Sequence, residues 1–454
     1  MELKGKKVLV IGSGLSGIGS AHLLCESGAL PVILDENEKV TVEAVKSKLD
    51  PDDRDKVEII IGQLPNEIKK EIVLVVPSPA VSMETPVMAA LIGDGIPVWS
   101  EIELAYNFAK GELIAITGTN GKTTTTSLMG EIMKAVNSEV YVVGNIGHSY
   151  ALEALSMTDK AVSVAEISSF QLEAVDNFHA HISTILNITP DHLNRHHTME
   201  NYAACKENIC NRQTKEDVCV LNYDNPYTRE FADKCPGRVV FFSSQEQLSD
   251  GWWLKGDTIM LSAGAVDTPV MDIHDMNLVG TCNVENVMAS LAMACAAGVP
   301  LSVSLRVIRS FKAVEHRIEY SGTKNGVDYY NDSKGTNPDA AIQGIKAMSK
   351  PTYLIGGGYD KGGDFDEWIE AFGDKVKELV LIGETADKID ACARKHGFTA
   401  IHHEDSFMGA LEYCSSNAQP GDAVLLSPAC ASWDMFPSYE VRGRQFKEYV
   451  NGLK

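Results

Sequence analysis

Short apolar runs, each ending on glycine or a small polar residue and followed by apolar positions at helical spacing, recur along the whole chain. Residues 8–11, 32–34, 72–76, 113–116, 141–143, 161–165 and 182–186 are runs of this kind. A strand with no polar alternation is buried on both faces, and strands that alternate with helix-period segments build parallel sheets covered by helices. The pattern therefore predicts an α/β protein. Between residues 215 and 271 it weakens to strands at 218–221, 239–242 and 252–261, the last broken by a Gly256-Asp257 turn. Beyond 313, strands at 327–331, 353–355 and 423–426 each run into a polar turn and predict a further small α/β sheet. An amphipathic helix is expected over 102–108.

With 454 residues the chain exceeds what one hydrophobic core accommodates. Three domains are expected: 1–110 Rossmann-like, 111–312 a central P-loop ATPase domain with a parallel sheet, and 313–454 a second Rossmann-like α/β domain. No apolar run approaches the length of a membrane span, and the start, though basic and then apolar, is interrupted at once by glycines and serines, so a strand is expected there and not a signal peptide. Acidic residues number 62 against 40 basic ones, and the formal charge of −22 would repel a polyanion, which argues against nucleic acid. The 10 cysteines are scattered, without a Cys-x-x-Cys pair, and many, such as Cys25 and Cys295, stand among apolar residues; a reduced, cytoplasmic setting is expected.

The most informative stretch follows the run at 113–116: Thr117-Gly118-Thr119-Asn120-Gly121-Lys122-Thr123-Thr124. A glycine-rich turn here delivers the chain into a helix, whose first N–H groups and dipole collect phosphate. Lys122 adds a mobile positive charge and Thr123 a hydroxyl suited to magnesium. The general P-loop would place glycine at Ile116, so this is a shortened form. At the front, Gly12-Ser-Gly14-Leu15-Ser16-Gly17, with Asp35 after the next strand, matches the dinucleotide fingerprint; it specifies a phosphate-friendly βαβ turn, open to NAD or to UDP. Ser78 stands at the end of a further strand, where open parallel sheets bind ligands.

Glu166 closes the strand at 161–165, where an NTPase needs a second metal ligand; a solvated strand-end glutamate is the competing reading. The loop 187–197 carries Asp191, His192, His196 and His197 without the cysteine or glutamate spacing of a zinc site. Asn337 followed by Pro338 reads as a helix N-terminus and a second anion site.

The segment 117–123 resembles the signature shared by Mur ligases and folylpolyglutamate synthetases, and the Mur ligase resemblance extends in motif order along nearly the whole chain: Glu166-Ile-Ser-Ser-Phe-Gln171-Leu, then Asp191-His192 with His196, Tyr202 and Lys206, then Gly280-Thr-Cys282-Asn283 with Asn286, then Arg317. Folylpolyglutamate synthetases lack the Rossmann-like front domain, and the segment Asp332-Ser-Lys334-Gly-Thr336-Asn-Pro separates the chain from ligases that add L-alanine or diaminopimelate.

The resemblance implies an ATP-dependent ligase of peptidoglycan precursor synthesis, joining D-glutamate to UDP-N-acetylmuramoyl-L-alanine through an acyl phosphate. It implies two Mg²⁺ ions, one on Thr123 and Glu166 and one on His192 and a carbamylated Lys206. Catalytic roles fall to Lys122, Glu166, His192, Lys206 and Arg317. ATP binding falls to Gly118, Thr119, Asn120, Gly121, Lys122, Thr123, Thr124, Asn286, Arg317, Asp332 and Lys334. The UDP substrate is assigned to Gly14, Leu15, Ser16, Asp35, Ser78, Asn145 and Gln171, and D-glutamate to Thr336, Lys361, Ser432 and Tyr439. Cys282 and Asn194 depart from the family pattern, which usually has histidine and aspartate there, so a role borrowed from that histidine is dropped. Hinges near Lys110 and Ala313, a monomer, a cytoplasmic location and no membrane partner complete the expectation. An NAD-dependent oxidoreductase and an ATP-gated binding module are the rivals.

Overall fold

The computed structural model describes residues 2–264 and 266–453. It divides into two compact units, one holding the chain up to Met271 together with Val287–Ile308, the other Asp272–Asn286 and the chain from Arg309 onward.

The first unit contains two sheets. The front one is formed by β1 (Lys7–Ile11), β2 (Leu30–Asp35), β3 (Glu58–Ile61) and β4 (Ile72–Pro77) in the order β3-β2-β1-β4, all parallel. The chain leaves β1 toward β2 and β3 and returns on the other side to β4, so the ends of β1 and β4 flank the point where the winding reverses, the usual ligand crevice of an open α/β sheet. At that crevice a side chain on Gly17 would strike the carbonyl of Gly12, which explains the glycine there. The helix Leu15–Glu26 starts directly above the strand ends.

The second sheet has nine strands: β5 (Glu112–Thr117), β6 (Val140–Gly144), β7 (Val162–Glu166), β8 (Ile182–Ile185), β9 (Val218–Asn222), β10 (Arg238–Ser243), β11 (Asp250–Lys255), β12 (Thr258–Ala263) and β13 (Val266–Asp272), in the order β13-β12-β11-β10-β9-β8-β5-β7-β6. From β6 to β11 neighbours are parallel, and β11 and β12 form the antiparallel hairpin expected around Gly256-Asp257. β5 lies between β7 and β8, so the turn after it opens at a second reversal of winding. β3 and β13 have no counterpart in the hydropathy reading: the apolar run of β3, Ile59 to Ile61, is short and only half covered, and β13 is mostly exposed and carries no continuous apolar run.

One apolar core serves both sheets: Val8, Val10, Ile33 and Val76 of the front sheet belong to the same cluster as Leu113, Ala115, Ile185 and Leu221 of the second. The helix Glu101–Tyr106 lies in it, and here the structure corrects the sequence reading. Instead of one wet and one dry face, the helix buries Glu101, Ile102, Glu103, Leu104 and Ala105. The two carboxylates go inward because backbone donors meet them. Glu103 accepts N–H bonds from Asp176 (2.9 Å), Asn177 (2.8 Å) and Phe178 (2.9 Å), and Glu101 accepts from Ser149 Oγ (3.0 Å) and Ala151 N (3.1 Å).

The second unit is built on β14 (Glu319–Lys324), β15 (Val327–Asn331), β16 (Thr352–Gly356), β17 (Val376–Leu381), β18 (Ile401–His403) and β19 (Ala423–Leu426), ordered β14-β15-β19-β16-β17-β18, parallel except for β14 against β15. The helix Pro338–Lys346 begins as its sequence indicates, with Asn337 accepting the N–H of Ala340 (2.8 Å) and Pro338 in the first turn. Among the described residues no helix is long and apolar enough to cross a membrane.

Candidate active site

The turn after β5 is shaped by glycine. Gly121, at φ +84°, caps the helix Lys122–Lys134 in a left-handed conformation that a side chain would strain, and this aims the helix N-terminus out of the sheet. The loop is braced by the segment that follows β8: Thr119 N donates to Asn187 O (2.9 Å), Asn120 N to Asn187 Oδ1 (2.8 Å), and the Thr119 hydroxyl to Thr189 O (3.1 Å). Lys122 folds back so that its ammonium meets the carbonyls of Gly118 (2.9 Å) and Thr119 (2.8 Å). Thr123 and Thr124 are buried in the first turn.

Lys206 comes from the helix Met199–Glu207 and is 1% exposed, which rules out a solvated helix face for it. Its Nζ donates to the Gly118 carbonyl (2.8 Å) and lies 4.7 Å from the centre of the Tyr202 ring. Burial, reinforced by the Lys122 charge, pushes its pKa well below that of an ordinary lysine, with the carboxylates of Asp191 and Glu166 pulling the other way. Glu166 is buried at the end of β7; Oε1 accepts from Asn145 Nδ2 (2.8 Å), while Oε2 has no hydrogen-bond partner among the described residues. A buried carboxylate oxygen without a donor is costly, and a hard cation is the natural occupant. His192 sits in left-handed backbone (φ +53°), half exposed, its ring 4.8 Å from Phe170. Its neighbour His196 is buried against Ser169 Oγ (3.0 Å), and burial lowers it to about 4.

At the front crevice, Asp35 receives the Ser13 N–H (3.1 Å) and hydroxyl, and Lys48 reaches Ser13 O (3.0 Å), so the carboxylate fixes the fingerprint turn. Leu15, in contrast, is 90% exposed at the head of its helix, and the buried Ser78 Oγ across the crevice has no partner among the described residues. Gln171 is buried; it forms a capping box with Ser168 and hydrogen-bonds Glu101.

In the second unit Asn286 is buried and donates to Asn283 Oδ1 (3.1 Å). Asp332 is buried at the end of β15, accepting from Ser427 Oγ (2.7 Å) and Ile318 N (3.3 Å); burial raises its carboxyl to about 7 despite the Ser427 bond and Arg317. The folded protein thus holds this proton more tightly than the unfolded chain, and stability falls as pH rises from about 4 to about 7. Asp332→Asn is expected to flatten that slope, a difference of a few kcal/mol, roughly 1.4 per pKa unit, read from urea unfolding across the window. Lys334 Nζ stands 5.4 Å from the Tyr439 ring. Lys361 is exposed, Thr336 half-buried, and Ser432 buried with a hydroxyl that has no partner among the described residues.

Several contributors lie outside the residues that the sequence assigned a role. Asn187 and Thr189 brace the loop, and polar residues directly after a buried strand were the available clue. Arg195 spans Glu173 Oε1 (2.9 Å) and the carbonyls of Pro79 (2.7 Å) and Val81 (2.9 Å). Arg442, fully buried, donates to Ser333 Oγ (2.9 Å) and Ser333 O (2.8 Å) behind the Asp332 turn.

Comparison with known proteins yields three family models along the chain: the N-terminal domain of MurD-like Mur ligases over residues 6–100, the Mur ligase middle domain over 116–294, and the Mur ligase glutamate ligase domain over 316–430. The chain is 54% identical over 453 residues to the UDP-N-acetylmuramoylalanine--D-glutamate ligase of Lachnospira eligens, with all of both chains covered. It is 49% identical to the protein of the same name from Lachnoclostridium phytofermentans and 43% identical to that of Clostridioides difficile, again over all of both chains. Among solved structures, the UDP-N-acetylmuramate-alanine ligase of Thermotoga maritima matches with a TM-score of 0.60 at 17% identity, covering 98% of this chain and 99% of that one. A MurF ligase of Thermotoga maritima in complex with ADP matches at 0.59 and 16%, covering 99% and 96%. At these identities the two structures speak for the fold.

Proposed function

The chain belongs to the Mur ligase family, and from that premise we infer that it is the ATP-dependent ligase that joins D-glutamate to UDP-N-acetylmuramoyl-L-alanine in peptidoglycan precursor synthesis. The full-length identity to ligases of that name carries the assignment. A carboxylate and an amine do not condense in water, so the alanyl carboxylate is first phosphorylated by ATP and the D-glutamate amine then displaces phosphate. A hydride-transfer enzyme has no use for the loop between β5 and its helix, and the front crevice is accordingly read as the UDP site. We place the protein in the cytoplasm, as a monomer.

In this reading the backbone of Gly118 to Gly121 and the first turn at Thr123 and Thr124 cradle the phosphates, and Lys122 exchanges its two carbonyl partners for phosphate oxygens. Asn286, Arg317, Asp332 and Lys334 complete ATP binding. Gly14, Leu15, Ser16, Asp35, Ser78 and Asn145 serve the UDP substrate; the exposed Leu15 and the unpartnered Ser78 hydroxyl support this. Gln171, already engaged in its capping box and with Glu101, would act there by shaping the wall.

The oxygen-rich donor set suits magnesium. Thr123 and Glu166, with its unpartnered Oε2, would hold one ion, and His192 and Lys206 the second. Bound there, magnesium neutralises charge on the phosphates. As an ammonium Lys206 would repel a cation; as a carbamate it offers anionic oxygen. The amine takes up carbon dioxide only when neutral, forming an N–C bond and releasing a proton, and the burial that disfavours its charged form prepares it for this.

D-Glutamate falls to the second unit, with Lys361 and Thr336 on the α-carboxylate and Ser432 with the Tyr439 backbone on the side-chain carboxylate. Losing a charge-assisted bond, Lys361→Ala is expected to weaken D-glutamate binding by roughly 1.5 to 3 kcal/mol while leaving ATP affinity unchanged, as isothermal titration with each ligand would record. The assignment as a whole is tested by incubating the protein with UDP-N-acetylmuramoyl-L-alanine, ATP and D-glutamate and analysing the products. Dipeptidyl product with ADP and phosphate is expected; ATP hydrolysis without joining, or preference for L-alanine or diaminopimelate, would overturn it.

A further inference from the structure

Away from the phosphate loop, three cysteines that are far apart in sequence meet inside the first unit. Cys210 ends the 3₁₀ turn Asn208–Cys210, Cys219 is the second residue of β9, and Cys235 follows the helix Pro226–Phe231, where its N–H bonds Phe231 O (3.0 Å). All three are buried, at 1%, 0% and 5% exposure, and their sulfurs lie within 4.8 Å of one another. Two other clusters of metal-ligating side chains are already employed. Glu173, beside His196 and Cys205, is ion-paired to Arg195, and Asp366, beside Cys392 and His396, is bound by Lys395 on the surface. The three thiols hydrogen-bond one another, Cys210 also donates weakly to Glu207 O (3.3 Å) and Cys235 meets the Gly237 backbone; none of these partners is an ion.

We propose that Cys210, Cys219 and Cys235 form a binding site for one soft monovalent d¹⁰ cation, of which Cu(I) is the biological representative. Sulfur donors alone, with no imidazole or carboxylate among them, select soft ions. Structural zinc takes four ligands and iron–sulfur clusters four cysteines, whereas this cluster supplies three. With a metal–sulfur distance near 2.3 Å, sulfurs in a trigonal plane stand about 4.0 Å apart. Sulfurs already within 4.8 Å therefore reach a common ion by small side-chain shifts. Binding proceeds by exchange: a sulfur–copper bond replaces a sulfur–hydrogen bond, the proton leaves to solvent, and copper keeps its oxidation state. Two exchanges with the third thiol as a neutral donor leave one negative charge. Lys215, which donates to Gly237 O (3.3 Å) and acts electrostatically on Cys235, offsets it. The ion would tie the 208–210 turn, β9 and the 235 turn to each other, which stabilises the fold by linkage.

The test uses the full-length, fully reduced protein under anaerobic conditions, titrated with Cu(I) in competition with the chromophoric chelator bathocuproine. Withdrawal of one equivalent per chain is expected, with an X-ray absorption spectrum fitted by a shell of three sulfurs and a raised melting temperature. Cys210→Ser and Cys235→Ser should each weaken uptake by at least about 100-fold, since even an outer-shell partner of a metal costs up to that much. Cys295→Ser, at an exposed lone cysteine, should leave uptake unchanged. If a serine variant fails to fold by circular dichroism, the decision passes to Cys210→Ala and Cys235→Ala, which suit those apolar positions better, and to the wild-type absorption spectrum, where a first shell of two sulfurs, or of nitrogen or oxygen, counts against the site. Absence of stoichiometric uptake, uptake indifferent to Cys210 and Cys235, a disulfide between two of the three in place of binding, or stoichiometric zinc taken in preference to Cu(I) would each overturn the proposal.

Discussion

Lys206→Ala is expected to lower the rate of ligation by roughly 10³-fold, about 4 kcal/mol of barrier, the scale on which removing one fixed electrostatic partner of a transferring group acts. The side chain is buried against the Gly118 carbonyl with the Lys122 charge close by, so its deletion removes a fixed group from directly beneath the phosphate loop. The carbamate reading adds a requirement that a plain lysine does not share: wild-type enzyme stripped of carbon dioxide should lose activity and regain it on addition of bicarbonate. Nuclear magnetic resonance with isotope-labelled bicarbonate should show a carbamate carbon in wild type and none in Lys206→Ala. Full activity in the alanine variant, or indifference of the wild type to bicarbonate, would remove Lys206 from the mechanism.

Glu103→Ala should destabilise the first unit by roughly 3 to 5 kcal/mol. The carboxylate lies wholly buried and receives three consecutive backbone N–H groups, from Asp176, Asn177 and Phe178, as well as Asn107 Nδ2 (2.8 Å). Truncation strands those donors around a buried void, Phe178 N most completely since Asp176 and Asn177 are themselves exposed, and each stranded buried donor costs about 1 to 3 kcal/mol. Glu103→Gln, which keeps an acceptor oxygen, should lose less. Urea unfolding of the three proteins, followed by tryptophan fluorescence, decides it: an alanine variant within about 1 kcal/mol of wild type would show that the 176–178 turn finds other partners.

How far the structure could be read from the sequence depended on whether a feature was local. The loop at 117–124 was legible because strand, glycine turn, lysine, hydroxyl and helix stand side by side, and the structure forms each of them. The capped start at Asn337 was legible for the same reason. Glu101 and Glu103 were not: charge in a helix reads as a wet face, and only the distant backbone donors of 149–151 and 176–178 make burial affordable. Lys206 likewise looks solvated by spacing alone, because what buries it is the loop almost ninety residues earlier. Apolar sequence neighbours do not by themselves bury a side chain: Cys25 is buried, whereas Cys295 is exposed near the end of its helix. Conversely the Cys210, Cys219 and Cys235 cluster escapes any spacing rule, because its members come from a turn, a strand and a loop that meet only in the fold. The β17 strand, in which Lys377 and Glu378 separate Val376 from the apolar residues that follow, was less legible than its neighbour β16 or the next strand over, β19.

The apolar core common to the first two sheets also bears on the order in which the chain is made. Val8, Val10 and Val76 emerge from the ribosome early, yet their packing partners extend to Leu221, and the residues from Val76 to Leu221 take roughly 7 to 30 s to be synthesised. During that interval the front sheet has one face of its final environment missing, and a nascent chain paused there displays a sticky surface to chaperones and to other nascent chains. Slow codons placed just after residue 110 would lengthen the hazard, whereas fast translation through β5 to β9 would shorten it.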